Sequence, residues 1–320
     1  MTDYYDSLET RDPAEREAAL LAALPRQIAH ARAHSPALAA ILAEVDPEQV
    51  RSRAALARLP VTRKAELQAR QQAVRAAGGD AFGGFAALRH GARMPRAFAS
   101  PGPIYEPEGG ARDYWRTARA LHAAGFRAGD LVHNAFSYHM TPGAFIMEAG
   151  AHALGCTVFP AGTGQTEQQL QAIADLKPQG YAGTPSFLRI LIEKARESGS
   201  DIASLRKALV SGEACPPSLR DWFGEREIAA YQCYATADLG LIAYETRARE
   251  GLVLDEGVLL EIVRPGTGDP VAAGEVGEVV VTVLNPDYPL VRFGTGDLSA
   301  VLPGPCPTGR SNTRIKGWMG

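Results

Sequence analysis

The sequence predicts an α/β body, with a mostly parallel sheet flanked by helices, followed by a β-rich subdomain. Three observations carry that expectation. From about residue 131, short apolar runs bounded by Gly, Pro or Thr alternate with helical stretches, which is the pattern of consecutive βαβ units. After Gly240 the helical patterning stops and β-branched runs take over. With 320 residues, 46% of them hydrophobic, the chain can bury one large core or two smaller ones.

The elements follow in order. Residues 13–45 and 61–77 are rich in Ala, Leu, Arg, Glu and Gln, strong helix formers, and are punctuated by Pro36, Pro47 and Pro60. Helices are expected there, with a loop over 78–84 and a further helix over 112–123. Strands are expected at 131–136, 157–159, 180–182, 207–210 and 228–231. Helices are expected between them at 142–154, 167–176, 185–197 and 216–223, several opening on Thr or Pro as N-cap and first-turn residues do. Beyond 240, the runs 258–263 and 277–284 are separated by Pro/Gly turns at 264–270 and 285–288. On this reading residues 1–240 form the α/β body, its first 80 residues helical, and residues 241–320 form the β-rich subdomain.

Composition narrows the function. Lys and Arg number 33 against 36 Asp and Glu, and a net charge of -3 leaves no basic footprint for nucleic acid and no polybasic patch for a membrane. A small metabolite is the expected partner. Residues 1–16 are acidic and polar, without the apolar core of a signal peptide, and no stretch is long enough to span a bilayer, so a cytoplasmic location is expected. Cys156, Cys215, Cys233 and Cys306 have no paired spacing, which argues against a disulfide framework or a C-x-x-C site. They read as small buried apolar residues.

Three segments could carry chemistry. The first, Phe98-Ala99-Ser100-Pro101-Gly102-Pro103-Ile104-Tyr105-Glu106-Pro107-Glu108-Gly109-Gly110, is either an ordinary turn or a loop presenting backbone N–H groups to a phosphate. The second, Tyr231-Gln232-Cys233-Tyr234-Ala235-Thr236-Ala237-Asp238, follows an expected buried strand. Open α/β sheets place ligands there, and a plain strand-to-loop turn is the other reading. The third, 288–297, sets Asp297 on the Gly-flanked string Gly294-Thr295-Gly296-Asp297. The same string at Gly266-Thr267-Gly268-Asp269 is expected to be only a hairpin turn, so the tetrapeptide alone decides nothing.

Order, spacing and flanking text decide more. Together with Gly274-Glu275-Val276-Gly277-Glu278-Val279-Val280-Val281-Thr282, Gly304-Pro305-Cys306-Pro307-Thr308-Gly309-Arg310 and Arg314-Ile315-Lys316-Gly317, the three segments resemble the adenylate-forming superfamily. The resemblance is to its phenylacetate-coenzyme A ligase branch and runs from about Leu59 onward. It implies that ATP and magnesium convert a carboxylic acid to an acyl-adenylate, whose acyl group then passes to coenzyme A. It also implies residue roles. Asp297 would accept hydrogen bonds from the ribose, Tyr234 would flank the adenine, and Ser211, Gly212 and Glu213 would line the same pocket. Asp238, with Thr236 beside it, would hold magnesium, and Ser100 would belong to the phosphate loop. Phe136, Tyr138 and His139 would form the acyl wall with Phe145, suiting an aromatic acid, while core packing is an equal reading of Phe145. The partners implied are small molecules, with a homodimer as the candidate assembly.

The departures from the family pattern are as specific. Its phosphate loop reads S-[SG]-G-T-T-G-x-P, whereas here the first half has Ser100 as its hydroxyl, no Lys, and Glu106 and Glu108 follow. A carboxylate about 4 Å from a phosphate charge costs on the order of 4 kcal/mol at an effective dielectric near 20. Either magnesium sits between them, or the glutamates turn to solvent, or the segment no longer binds a triphosphate. Ala235 and Ala237 replace the Gly and Thr of the magnesium motif. Cys306-Pro307-Thr308 lacks the second thiolate of the branch's C-P-C run, so no structural zinc is expected. The sequence stops at Gly320, where the family's hinge to a small lid domain with a catalytic lysine begins, so the lid is expected to be absent and adenylation slow. The alternative is a non-catalytic nucleotide- or acyl-binding module with a degenerate phosphate loop. A NAD enzyme is disfavoured, because no G-x-G-x-x-G follows a strand.

Overall fold

A computed structural model describes residues 3–317 and 319; Trp318 and Gly320, and with them the expected stop at a hinge, lie outside the described residues. The chain divides into two compact units, Met1–Ser7 with Arg112–Asp255, and Leu8–Ala111 with Glu256–Gly320. The division falls between Asp255 and Glu256, and residues 8–111 group with the C-terminal strands.

Residues 8–111 supply helices and short strands. Helix α1 (Pro13–His34) starts where Asp12 accepts hydrogen bonds from the backbone of Ala14 and Glu15, and it buries Leu20, Leu24, Ile28 and Ala31 along one face. Helices α2 (Pro36–Ile41) and α3 (Arg53–Leu56) follow, capped by the side chains of Ser35 and Ser52. Strand β1 (Thr62–Arg63) leads into α4 (Lys64–Ala76), and then β2 (Arg96–Ser100) and β3 (Ile104–Glu108) form an antiparallel hairpin. The segment 98–110 is therefore the end of β2, a turn and the whole of β3.

The first unit continues with α5 (Ala118–Ala123), shorter than the helix expected over 112–123. Asp113 takes the N–H groups of Thr117 and Ala118, at 3.0 and 3.1 Å, and Arg116 turns through φ 63, so the helix starts only after that turn. Strands and helices then alternate: β4 (Leu131–Asn134), α6 (Gly143–Leu154), β5 (Thr157–Pro160), α7 (Thr166–Leu176), β6 (Gly180–Gly183), α8 (Pro185–Ser198), β7 (Lys207–Val210), α9 (Pro217–Gly224) and β8 (Ala229–Thr236). Strands β9 (Gly240–Glu245) and β10 (Leu252–Leu254) complete the unit. Within it the sheet order is β10-β9-β8-β7-β6-β4-β5. From β5 to β8 neighbouring strands are parallel, while β9 and β10 add antiparallel. One face is sealed by Leu188, Leu191 and Ile192 of α8 with Phe223 of α9, packed with Tyr181 and Val210.

The second unit resumes with β11 (Val258–Val263), β12 (Gly277–Val283), β13 (Phe293–Ser299), β14 (Val301–Leu302) and β15 (Arg314–Ile315). Its main sheet has the order β1-β13-β12-β11, with β1 parallel to β13 through Thr62 and Phe293 and the other pairs antiparallel. Arg292, 1% exposed, holds this unit together. Its guanidinium meets Glu261 at 3.0 and 3.1 Å and also donates to the carbonyls of Ala57, Leu59 and Gly268. The fold is thus a mixed α/β one, with its sheets flanked by helices. Among the described residues no helix is long and apolar enough to cross a membrane.

Candidate functional site

In the first unit the parallel strands share a direction, so their carboxyl ends, and the loops that leave them, lie along one edge of the sheet. Phe136 follows β4, Thr184 follows β6, and Ser211, Gly212 and Glu213 follow β7. These loops meet. A Cβ placed on Gly212 would stand 3.7 Å from the Phe136 ring and 3.7 Å from the Thr184 methyl. Gly212 adopts φ 85, a left-handed conformation in which side chains other than glycine's are strained.

Hydrogen bonds fix the geometry. The Ser211 hydroxyl donates to the Cys233 carbonyl at 2.8 Å, joining the end of β7 to β8 one residue before Tyr234. The ladder between β8 and β9 slips between Tyr234 and Ala235, a bulge that re-aims the side chains there. Glu213 accepts the Ser186 N–H at 2.7 Å in the first turn of α8, where Thr184 is the N-cap. Tyr234 and Thr236 are half-buried, and Asp238 is buried in the turn after β8. The Thr236 hydroxyl oxygen accepts the Leu239 N–H at 3.2 Å.

The aromatic residues expected to contact the acyl group lie in one loop. Asn134, fully buried, donates to the Tyr138 hydroxyl and to the Ala144 carbonyl, both at 2.9 Å, and its carbonyl oxygen accepts the Phe136 N–H at 3.3 Å. Tyr138 in turn donates to Glu148 at 2.7 Å and meets Phe145 edge to face, ring centres 5.2 Å apart. Phe136 and Tyr138 are half-buried and His139 is exposed. Asn134, which organises the loop, was not among the residues singled out from sequence. Its signal was an amide at the carboxyl end of an expected strand. The pair of half-buried Arg220 and buried Glu245, whose carboxylate also accepts the Gln232 N–H at 3.2 Å, gave no local signal, because its members come from α9 and β9.

The second unit carries Ser100 and Asp297. Asp297 lies on a bulge of β13: Val280 pairs with Gly294 and Glu278 with Leu298, so the chain gains two residues between those pairs. Its N–H donates to the Thr295 hydroxyl oxygen at 3.1 Å. The identical string at 266–269 forms a turn closed by the Arg264 N–H on the Asp269 carbonyl, as expected. Ser100 is buried and its hydroxyl donates to Glu106. Two cavities of this unit, of about 400 and 460 Å³, are lined by none of the catalytic, nucleotide-binding or acyl-binding residues expected from the sequence.

For magnesium, Asp238 can supply one oxygen, and among the described residues no cluster of three or more His, Cys, Asp or Glu side chains could hold a metal. That suits an ion that keeps its waters and binds through one or two carboxylates and substrate phosphates, and it does not suit a closed protein cage.

An α/β sheet whose loops gather at the carboxyl ends of its parallel strands is an architecture that places small-molecule sites there, and comparison with known proteins narrows the class. The profile of the AMP-binding enzyme family matches residues 112–283. The chain is 31% identical, over 329 aligned positions, to the phenylacetate-coenzyme A ligase of Thermus thermophilus, a match covering 98% of this chain and 72% of that one. It is 33% identical over 286 positions to the phenylacetate-coenzyme A ligase of Aromatoleum evansii, covering 85% of this chain and 62% of that relative. Among solved structures, an open conformation of 2-hydroxyisobutyryl-CoA ligase in complex with 2-HIB-AMP and CoA superposes with a TM-score of 0.90 at 27% identity, covering 100% of this chain and 73% of that one. The chain belongs to the AMP-binding enzyme family, in its phenylacetate-coenzyme A ligase branch. It spans 62% and 72% of the length of those two relatives.

Proposed function

We propose that the chain is the nucleotide- and acyl-binding body of an acid–coenzyme A ligase. The observation that carries the reading is the meeting of Phe136, Thr184 and Gly212 at the carboxyl ends of β4, β6 and β7, with Ser211 bonded across to the strand that presents Tyr234. In this reading Tyr234 flanks the adenine, and the Ser211-Gly212-Glu213 loop closes the same pocket. Glu213 anchors that loop to α8. Asp297 keeps the ribose-binding role that the resemblance implies, and Asp238 with Thr236 that of the magnesium side. Phe136, Tyr138 and His139 face an aromatic carboxylic acid, with Asn134 setting the pitch of their loop through Tyr138 and Ala144.

ATP and magnesium are the co-substrates of the whole reaction, and the chemistry that ATP supplies is activation of the carboxylate as a mixed anhydride with AMP. The residues named here bind and orient: positioning of the reacting groups is the main protein contribution to such a transfer. The two relatives named above are phenylacetate-coenzyme A ligases, and an aromatic acid agrees with the rings of Phe136 and Tyr138 in the loop after β4 and of Phe145 in α6.

The test is synthesis. The full chain is incubated with coenzyme A and either preformed phenylacetyl-adenylate or phenylacetate, ATP and magnesium. Phenylacetyl-coenzyme A from either mixture supports the reading. No thioester from either, across a panel of aryl and short-chain acids and their adenylates, overturns it.

A further inference from the structure

The resemblance assigns the triphosphate to the segment 98–110, and the hairpin can be compared with that demand atom by atom. A phosphate cradle needs several backbone N–H groups or hydroxyls converging on one point, usually with a cation beside them. Here Ser100 and Ile104 form the last rung of the ladder, leaving the turn Pro101-Gly102-Pro103. Proline has no N–H, so Gly102 holds the only amide proton in the turn. Gly102 sits at φ 143, and its carbonyl accepts the side-chain amide of Gln68.

The side chains agree. Ser100, 5% exposed, spends its hydroxyl proton on Glu106, which is 0% exposed. Glu108, 4% exposed, pairs with Arg96 at 3.0 Å, and Arg96 is the one cationic residue between positions 96 and 110. Both carboxyl groups are therefore turned into the hairpin and not to solvent, which removes one of the three readings left open by the sequence. Glu106 takes a hydroxyl donor on one carboxylate oxygen, and Glu108 takes a guanidinium. What remains is a turn whose composition does not fit a triphosphate.

We propose that this chain recognises its nucleotide at the monophosphate level, taking AMP and acyl-adenylates, with the β- and γ-phosphates of ATP adding nothing to affinity. The proposal rests on the adenylate-binding reading above and assigns the chain to the thioester-forming half of the reaction. In that half the coenzyme A sulfur bonds to the acyl carbon and the bond from that carbon to the phosphate oxygen breaks. AMP leaves with the electron pair, and the thiol proton passes to solvent.

Calorimetric titration of the full chain with AMP and with ATP, in excess magnesium, tests this. Dissociation constants for ATP and AMP within about threefold of each other support the proposal, and ATP binding about tenfold or more tighter than AMP overturns it while leaving the adenylate-site reading intact. Binding of neither nucleotide overturns both. A Pro101→Ser, Pro103→Thr chain regains two amide protons and two hydroxyls. It is expected to gain affinity for ATP with AMP binding unchanged, and no gain would contradict the assignment of the missing affinity to this turn.

Discussion

Ser211 donates its hydroxyl proton to the carbonyl of Cys233 across 2.8 Å, and this bond fixes where Tyr234 leaves β8 relative to the end of β7. Both groups are buried, so Ser211→Ala leaves a carbonyl without that donor and is expected to cost about 1–2 kcal/mol of stability. AMP binding should weaken as well, because the adenine wall loses its register. Denaturant unfolding and calorimetry on the same variant check the two effects. A variant with reduced stability and unchanged AMP affinity would confine Ser211 to a structural part.

Gly212 separates backbone strain from crowding. At Gly212→Ala the added methyl meets Phe136 and Thr184 only at ordinary contact distance, 3.7 Å, so the cost is that of φ 85, roughly 1 kcal/mol. Gly212→Val adds branches toward both neighbours and should lose clearly more stability and more AMP affinity than the alanine variant. Equal behaviour of the two would mean that Phe136 and Thr184 do not confine this loop.

His133 gives the fold a pH dependence. It is buried between Phe159 and Tyr181, and its Nε2 faces the Gln169 carbonyl oxygen at 2.7 Å; Gln169 donates its own protons to Gly162 and Gly164, so Nε2 carries the hydrogen. Burial pushes the His133 pKa below the usual 6.5, partly offset by the bond to Gln169. The unfolded chain then binds a proton near pH 6.5 that the folded chain refuses. The stability tied to this group is whole above pH 6.5 and falls as pH drops toward the folded pKa, at up to about 1.4 kcal/mol per pH unit. His133→Phe should lack that slope, so the stability difference between variant and parent should change with pH, measured by urea unfolding from pH 7 downward. A difference independent of pH would contradict it.

The thiols should be silent. Burial raises the pKa of Cys156 and Cys215 to about 11 and that of Cys233 to about 12, and Cys306 is also buried. A thiol reagent at mildly alkaline pH is expected to label the native chain far more slowly than the unfolded one, which should show all four cysteines. Rapid labelling of the native protein would mean that the site edge opens.

Arg292 is the hinge of stability in the second unit. Removing the guanidinium leaves Glu261 buried with its pKa already raised by desolvation, so Arg292→Ala should cost about 3–5 kcal/mol. Arg292→Met with Glu261→Leu should recover much of that loss. Failure of the double variant to recover would show that the carbonyls of Ala57, Leu59 and Gly268 depend on the arginine more than the carboxylate does.

The parallel strands were legible because each is a short apolar run with a punctuating Gly, Pro or Thr, and because the helices between them carry local capping signals. Thr184 before Pro185 is one such signal. Strands β9 and β10 fall in the stretch expected to be β-rich, but their bounds were not anticipated: every residue of both is buried, so they show no alternation. The grouping of residues 8–111 with the C-terminal strands depends on pairings such as Thr62 with Phe293, which no local pattern encodes. At the candidate site, the segments 211–213 and 231–238 could be named from sequence, but not the bonds that set them, nor that 231–236 continue strand β8 instead of following it. For Glu106 and Glu108 the sequence left three readings open, solvent-facing charges among them. They are inside because the register puts Arg96 opposite Glu108, and because Ser100 reaches Glu106 across the turn. The two copies of Gly-Thr-Gly-Asp diverge for a similar reason: the one at 294–297 is held in a ladder by β12, and the one at 266–269 closes on itself.

The central claim is that a nucleotide binds where the loop after β7 meets the end of β8. Hydrogen exchange followed by peptide mass analysis, with and without saturating AMP, tests it most directly. The account predicts slowed exchange in residues 211–216 and 232–238 of the first unit. AMP binding that leaves both segments unchanged, or protection confined to other parts of the chain, would contradict it.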